Sequence, residues 1–430
     1  MTFPKTADLV VVGGGIVGIA TAAAAAARGA KVVVIEKEAE PAIEASGRAQ
    51  GSLRVQGRHG AEFPLALESL DLWKEAAEDG DFEFKQGGNM YFQTRPEERA
   101  TLDQLIHEAH ESGLCNVEFL TPDEVREVMP AATGPFYGAM YSQIDAQAQP
   151  HKATKYFARR AEQNGATLCF GTKATGIRLV RGGINALETS RGTISTSRVV
   201  IAGGIWTPYL AHSVGVEVPI MPVVMSELET APLPQILEPT VRAFGFGARQ
   251  RLNGRTVISA GLNAKVTHKV SFSDMNGLGY WLPRAMAFRK ALRIGIDVPN
   301  SLRQIRYAST RDTRLIPDSS PEPDVDYRSV TSALERMSKV IPAFKEAEVT
   351  RYWGGFVDMT PDGLPIIDGS IGVHGLSIIT GLAGHGLHLG PVLGEIGAEL
   401  ALDGETTRPI EPFRLSRFKS GNIQKPELMI

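Results

Sequence analysis

The chain has 430 residues, 43% of them hydrophobic, and a formal net charge of −3. This length exceeds the ~250–300 residues at which a single core stops growing, so two domains are expected. The near-neutral charge leaves no electrostatic footprint for nucleic acid, and no unbroken apolar run of ~20 residues is present to span a membrane.

Leu9 to Val12 form an apolar, β-branched run that enters Gly13-x-Gly15-x-x-Gly18. A helix of small residues follows, and a second run from Lys31 to Ile35 closes on Glu36. This is the order of a βαβ unit that binds a dinucleotide. Gly13 serves the tight turn, Gly15 has no Cβ to hold a diphosphate off the backbone, and Gly18 brings the helix close to the strand. The N–H groups at the helix start face the diphosphate, with the helix dipole behind them. Glu36, 18 residues past Gly18, is placed for the ribose hydroxyls, and its charge disfavours a 2′-phosphate. The motif alone does not separate FAD from NAD. The alanine run Ala22 to Ala27 belongs to this helix; the start Met-Thr-Phe-Pro-Lys has little positive charge and no cleavage pattern follows. A cytoplasmic protein is expected, with peripheral membrane attachment left open.

Helices are expected over Leu65 to Glu78, over Pro96 to Ser112, and from Thr121-Pro122-Asp123-Glu124, where Pro at the first position and an acid at the third mark a helix start. A further helix, Lys152 to Asn164, ends at Gly165. Short strands are expected at Ala166 to Phe170, Gly176 to Val180, Ile184 to Ser190 and Arg198 to Ala202. From Pro219 to about Ser273 the texture is that of an antiparallel sheet, with a turn at Asn253-Gly254, and Ser329 to Val340 returns to helix. The tail after Pro409 reads as poorly anchored. Cys115 and Cys169 lack CxxC spacing and read as buried thiols, and the nine histidines make no HExxH-type pattern, so no metal site is expected.

Four segments add chemistry. Glu44 to Arg58 is rich in Gly and Gln and follows soon after Glu36; Ser197 to Leu210 is an apolar strand running into Gly203-Gly204 and Trp206. Arg351 to Gly369 carries a turn at Thr360-Pro361-Asp362-Gly363, and Ser377 to Glu395 runs strand, glycine loop, helix. The last loop offers N–H groups at a helix start to a second electron-rich part of the same ligand, as the C2 carbonyl of an isoalloxazine would be.

The order GxGxxG…E, VVIAGGIW, TPDGLPII, GLAGHGLHLGP resembles the FAD-dependent amino acid oxidase superfamily, which includes glycine oxidase, sarcosine oxidase and D-amino acid dehydrogenases. The resemblance covers nearly the whole chain. It implies a Rossmann-type, glutathione-reductase-like FAD domain that is discontinuous (1–90, 151–222 and 350–415), an antiparallel-sheet substrate domain (91–150 and 223–349) and a tail (416–430). It implies FAD surrounded by Gly13, Gly15, Ile16, Val17, Gly18, Glu36, Lys37, Ser46, Arg48, Ala49, Gln50, Gly51, Ala174, Gly203, Gly204, Trp206, Gly354, Gly384, His385, Gly386, Leu387 and His388. Monomeric sarcosine oxidases carry a cysteine before the TPD segment that bonds to the flavin; Trp353 to Asp358 has none, so FAD should be non-covalent. Those enzymes also have lysine after GHGF to hold the substrate carboxylate, and here His388 stands there, a weaker and pH-dependent partner for an anion.

Oxidation of an amine by a flavin leaves an imine that water hydrolyses to an oxo acid and an amine. The protein must place the Cα–H, keep the amine neutral and fix the carboxylate, for which arginine is the best residue. The candidates are Arg54, Arg58, Arg249, Arg251, Arg306 and Arg311. Lys265 and His268 parallel a lysine and histidine of sarcosine oxidases, the lysine promoting oxygen reduction; Tyr280 and Trp281 are weaker candidates, for the active-site mouth, as is His59 near the arginines. The expected function is oxidation of a small amino acid or N-substituted glycine (sarcosine, glycine, iminodiacetate-like or D-amino acid), with O2 or a quinone or dye-type acceptor. The alternatives are a flavoprotein subunit that depends on partner chains, as in opine-type dehydrogenases, and a 2-hydroxy acid dehydrogenase. Homo-oligomers or partner subunits are compatible with the sequence.

Overall fold

The computed structural model describes residues 2–261, 317–421 and 423, the strands at 266–270 and 292–296 as backbone, and residues 281, 298, 302 and 313. The first half of the described chain contains β1 (Leu9–Val12), α1 (Ile16–Ala27), β2 (Val32–Ile35), α2 (Phe63–Ala77), β3 (Asn89–Gln93), β4 (Gly138–Ser142), α3 (Pro150–Gln163), β5 (Thr167–Cys169) and β6 (Val199–Ile201). The second half contains β7 (Met221–Thr230), β8 (Thr240–Ala243), β9 (Phe246–Gln250), β10 (Thr256–Ala260), α4 (Tyr327–Val340), β11 (Val349–Met359), β12 (Ile366–Asp368), β13 (Leu376–Thr380) and α5 (Gly386–Leu402).

Two large sheets organise these elements. The six-stranded sheet runs β12-β13-β6-β1-β2-β5, parallel except for β12. Its central strands β1 and β2 are apolar along their whole length, as burial on both faces requires. Helices α1, α2, α3 and α5 share one core with it. Three glycines let α5 lie against α1: a Cβ at Gly390, Gly394 or Gly397 would come within 2.4, 2.5 or 2.6 Å of Ile16, Ala20 or Thr21.

The ten-stranded sheet is mainly antiparallel and runs Leu292–Ile296, Val266–Val270, β7, β10, β9, β8, β3, β4, Val117–Leu120, with β11 paired along β7. Alternation along its strands sorts two faces. Met90, Phe92, Val241, Ala243, Phe246, Ala248, Ile258 and Leu228 point one way, onto Val330, Ala333 and Met337 of α4. The other face carries a cross-strand row in register, Tyr91, Arg242, Gly247, Ser259, Glu227, Trp353. That polar row meets the dinucleotide-type half of the molecule.

The expected helices and strands are present within a few residues, including the Thr121 capping box, and the strands Asn89–Gln93, Val117–Leu120, Gly138–Ser142 and Gly192–Ser195 are among those not expected. Two expectations about boundaries change. The break at residue 90 cuts β3, and 350–359 belongs to the second sheet as β11, because an eleven-residue strand finds its partner in β7. The tail is anchored as far as it is described: Arg417 is buried and bonds Asp362 at 2.7 and 3.0 Å, and Phe413, Leu415 and Phe418 are buried. Cys169 is buried but Cys115 is exposed, and both are free. No helix among the described residues is long and apolar enough to cross a membrane.

Candidate active site

The turn from β1 into α1 is built by its glycines. Gly13 has φ +120°, and a Cβ there would lie 2.3 Å from the Ala202 carbonyl oxygen, so only glycine lets β1 and β6 end side by side. A Cβ at Gly18 would lie 2.1 Å from the Gly13 oxygen, whereas one at Gly15 would meet only the Ser46 hydroxyl, at 3.1 Å. The Ile16 N–H donates to Ser46 Oγ at 2.9 Å, which brings the loop after β2 onto the head of α1. Glu36 accepts from the Gly14 N–H and, at 2.8 Å, from the Glu38 N–H. Burial pushes its carboxyl up, against those two N–H bonds. A carboxylate has about four acceptor sites, so these two bonds leave room for hydroxyl donors.

Lys37 pairs with Glu38 and Glu44, and its ammonium lies 5.5 Å from the centre of the Trp206 ring. The Trp206 indole N–H donates to Glu44 and to Ser320. Arg48 donates in parallel to both oxygens of Glu322, at 2.7 and 2.8 Å, and to the Gly354 carbonyl at 2.8 Å. The Trp353 indole returns a bond to the Arg48 carbonyl, and Gln50 reaches Ser259 at 3.3 Å. Gly51, at φ +98°, lets the Arg249 guanidinium lie against the chain, since a Cβ would be 2.8 Å from its Cζ. Residues 48–51 are therefore pinned beneath the polar row of the large sheet. Ala49 is half-buried within this segment. Ala174 is buried where the strand Ala174–Val180 begins, and Gly204 accepts from Thr380 Oγ1 at 3.1 Å.

The loop before α5 turns through positive φ at Gly381, Ala383 and Gly384. Asp358, at the end of β11, holds it: Oδ2 accepts from the Gly381 N–H at 2.7 Å and from Thr380 at 3.2 Å. Leu387 is buried in the first turn of α5, and Gly386 packs so closely on Leu382 that a Cβ would sit 2.7 Å from it.

Beside this loop lies a buried charge cluster. Arg54 and Arg58 are 8% and 4% exposed, and Glu62 and Asp145 are fully buried. The Arg58 Nε–H donates to the Arg54 carbonyl at 2.6 Å, its Nη1 lies 3.5 Å from Glu62, and Glu62 meets His385 Nδ1 at 3.0 Å. Asp145 accepts from the Val55 N–H at 2.9 Å, and burial pushes its carboxyl up to about 6. Burial pulls the Arg54 guanidinium well down, with Arg242 and Arg58 repelling it and Asp145 opposing. Asp145 Oδ2, Arg58 Nη1, Arg242 Nε and the Tyr91 hydroxyl are buried without a hydrogen-bond partner. Unsatisfied buried groups at this density mark a place for a polar ligand.

Several expected residues are engaged with protein partners. His388 is 1% exposed; its Nε2 bonds the Ala66 carbonyl at 2.8 Å, and its own carbonyl accepts from Ser69 and from Trp73. Burial drives its pKa well below the usual histidine range, so it fastens α5 to α2 as a neutral ring and offers a carboxylate no charge. Arg251 is taken by Glu83 at 3.2 Å and Glu229 at 3.4 Å, and His59 Nδ1 accepts from the Ala61 N–H. Arg249 donates to the Ala148 carbonyl and keeps its charge, burial lowering it only to about 10. Trp281 is buried. Lys265, Tyr280, Arg306 and Arg311 lie outside the described residues, as does the side chain of His268. Tyr91, Arg242, Asp145, Glu62, Asp358 and Glu227 were not expected from the sequence. Only Glu62 had a local signal, its i,i+4 spacing from Arg58.

Residues 8–400 match the family model described as FAD dependent oxidoreductase, DAO. The chain belongs to this family. It is 28% identical to glycine oxidase of Geobacillus kaustophilus over 95% of this chain and 97% of that protein. It is 26% identical to sarcosine oxidase subunit beta of an Arthrobacter species, over 97% and 93%. An L-amino acid deaminase from Proteus myxofaciens has the same fold, with a TM-score of 0.87, 25% identity and coverage of 97% and 95%.

The protein is an FAD-dependent oxidoreductase of the amino acid oxidase type. The glycine cradle at the head of α1, the Glu36 carboxylate and the loop before α5 fit the diphosphate, ribose and ring portions of FAD. No cysteine occurs between Trp353 and Asp358, so the segment offers no thiol for a covalent link.

Proposed function

We propose that this oxidoreductase acts on a small amino acid or N-substituted glycine with a free carboxylate, oxidising its C–N bond to an imine that hydrolyses to a 2-oxo acid and an amine. The observation that carries the reading is the cation-rich cluster beside Arg54, in which Arg242 Nε, Arg58 Nη1 and the Tyr91 hydroxyl are buried without a hydrogen-bond partner. Three guanidinium groups, Arg54, Arg58 and Arg242, stand there against two carboxyls, Glu62 and Asp145. A substrate carboxylate supplies the missing anion, and bidentate bonds from arginine fix its orientation. Bound FAD supplies the two-electron acceptor; the chain binds the carboxylate, excludes water and orients the Cα–H.

The similarity to sarcosine oxidase subunit beta favours a second reading, a flavoprotein subunit that passes electrons on with partner chains. Anaerobic bleaching of the flavin by sarcosine, glycine, iminodiacetate, D-alanine, D-proline and 2-hydroxyglutarate tests both. Bleaching by an amine with a carboxylate is expected, and admitting air then separates an oxidase from a dehydrogenase. Bleaching by the hydroxy acid alone overturns the amine reading, and no bleaching at all favours the partner-dependent subunit.

A further inference from the structure

One buried chain of charge leads from the carboxylate site to the loop before α5. It runs Arg54, Arg58, Glu62, His385. Glu62 precedes α2 and is fully buried; His385 is 6% exposed and immediately precedes α5. Both Glu62 oxygens face His385 Nδ1, at 3.0 and 3.2 Å, and Arg58 Nη1 approaches the same carboxylate at 3.5 Å. The other end of Arg58 is tied to the Arg54 carbonyl at 2.6 Å, so the chain joins the proposed carboxylate site to the loop before α5. A structural ion pair would need only Arg58 and Glu62. The histidine adds a titrating ring whose two nitrogens are unlike.

We propose that Glu62 is the positioning residue of His385, and that His385 Nε2 accepts the proton that the substrate ammonium must lose before its C–N bond is oxidised. This rests on the amine reading above. The Glu62 carboxylate accepts the Nδ1–H and so selects the tautomer in which Nε2 carries a lone pair. An amino acid enters the site as an ammonium, and its nitrogen lone pair must be free for electrons to leave Cα. The proton passes from the substrate nitrogen to Nε2, the N–H bonding pair stays on nitrogen, and the new imidazolium is balanced by Glu62.

The surroundings set the ring's basicity. Burial lowers the His385 pKa and the charges of Arg58 and Arg54 add to that, while Glu62 opposes; neutral His388 packs nearby. Burial pushes the Glu62 carboxyl up, but the bond from His385 and the charge of Arg58 outweigh it. His385 thus rests neutral, and the Glu62 carboxylate is what opposes the loss of basicity.

The test begins with the wild-type holoenzyme, 15N-labelled at histidine, whose ring correlations are assigned with His385→Gln. An Nδ1–H tautomer at His385 is expected, and an Nε2–H tautomer overturns the proposal. Flavin bleaching by the best amine is then followed against pH. Glu62→Gln should lower the plateau rate ~10-fold or more and move the acid limb to lower pH, since the ring loses its anionic partner. His385→Gln, which leaves the Arg58–Glu62 pair in place, should lose ~100-fold and the limb itself. An acid limb that stays put in both variants overturns the proton-accepting role. If no amine bleaches the flavin, the amine reading fails and the proton-accepting role falls with it, while the tautomer still decides whether Glu62 positions the ring.

Discussion

Single residues decide what the site can hold. Arg54 and Arg242 come from distant parts of the chain, and burial lowers the pKa of both guanidinium groups, which a bound anion would oppose. Replacing either by alanine removes charged hydrogen bonds worth about 3 kcal/mol, so KM for a carboxylate substrate should rise ~10²-fold. Steady-state kinetics of each variant checks this, and unchanged KM in both would remove the carboxylate from the site. Glu227 makes a different prediction. Burial pushes its carboxyl up to about 8, against the charge of Arg249, and Oε2 has no partner. A carboxyl raised in the folded state costs stability as pH rises from its unfolded value, near 4, to its folded value, and the cost is constant above that. Glu227→Gln should therefore match wild type at pH 4 and exceed it by on the order of 2–4 kcal/mol at pH 8. Urea unfolding at the two pH values measures the difference. Arg242 and Glu227 could not be found in the sequence as site residues, because nothing local says that Arg242 stands in register with Tyr91 and Glu227 with Ser259.

Elements show a sharper division between what is local and what is not. The βαβ unit, the helix starts and the strand into Gly203-Gly204 were legible because their signals lie within about thirty residues of one another. The large sheet was legible only as texture. Its strand order joins β3 to β8 in parallel and folds β11 back along β7, pairings that depend on tertiary packing rather than on period. The same holds for His388: the motif suggested a carboxylate partner, yet α2 lies beside α5 and takes both the ring and the carbonyl of this residue. The contact between α1 and α5 is testable at Gly394, where a Cβ would sit 2.5 Å from the Ala20 Cβ and 2.7 Å from its carbonyl carbon. Backbone cannot give as a side chain can, so Gly394→Ala should cost about 1–3 kcal/mol. If the glycine turn at the head of α1 holds the FAD diphosphate, as proposed, the variant should also release FAD at a lower denaturant concentration, which flavin fluorescence reports.

At the scale of the whole molecule, the C-terminal segment closes a circuit that reaches the loop before α5. Arg417 meets Asp362 through Nε and Nη2, at 2.7 and 3.0 Å, and donates as well to the Leu364 carbonyl at 2.9 Å. Arg414 pairs with Asp368 on β12, so the segment grips the 360–363 turn and the strand that follows it. That turn follows directly on Asp358, whose carboxylate holds the Gly381 N–H and with it the loop before α5. Asp362 is 2% exposed, and removing its partner leaves a buried carboxylate uncompensated. Arg417→Ala should therefore cost about 3–5 kcal/mol, whereas Arg417→Met with Asp362→Leu, which removes both charges and keeps volume, should recover most of it. Thermal unfolding followed by circular dichroism measures both variants. The circuit makes a second demand: if the turn transmits the clamp to the loop, Arg417→Ala should lose FAD on dilution faster than wild type at temperatures well below its own unfolding. FAD loss that merely tracks global unfolding would confine Arg417 to anchoring the tail.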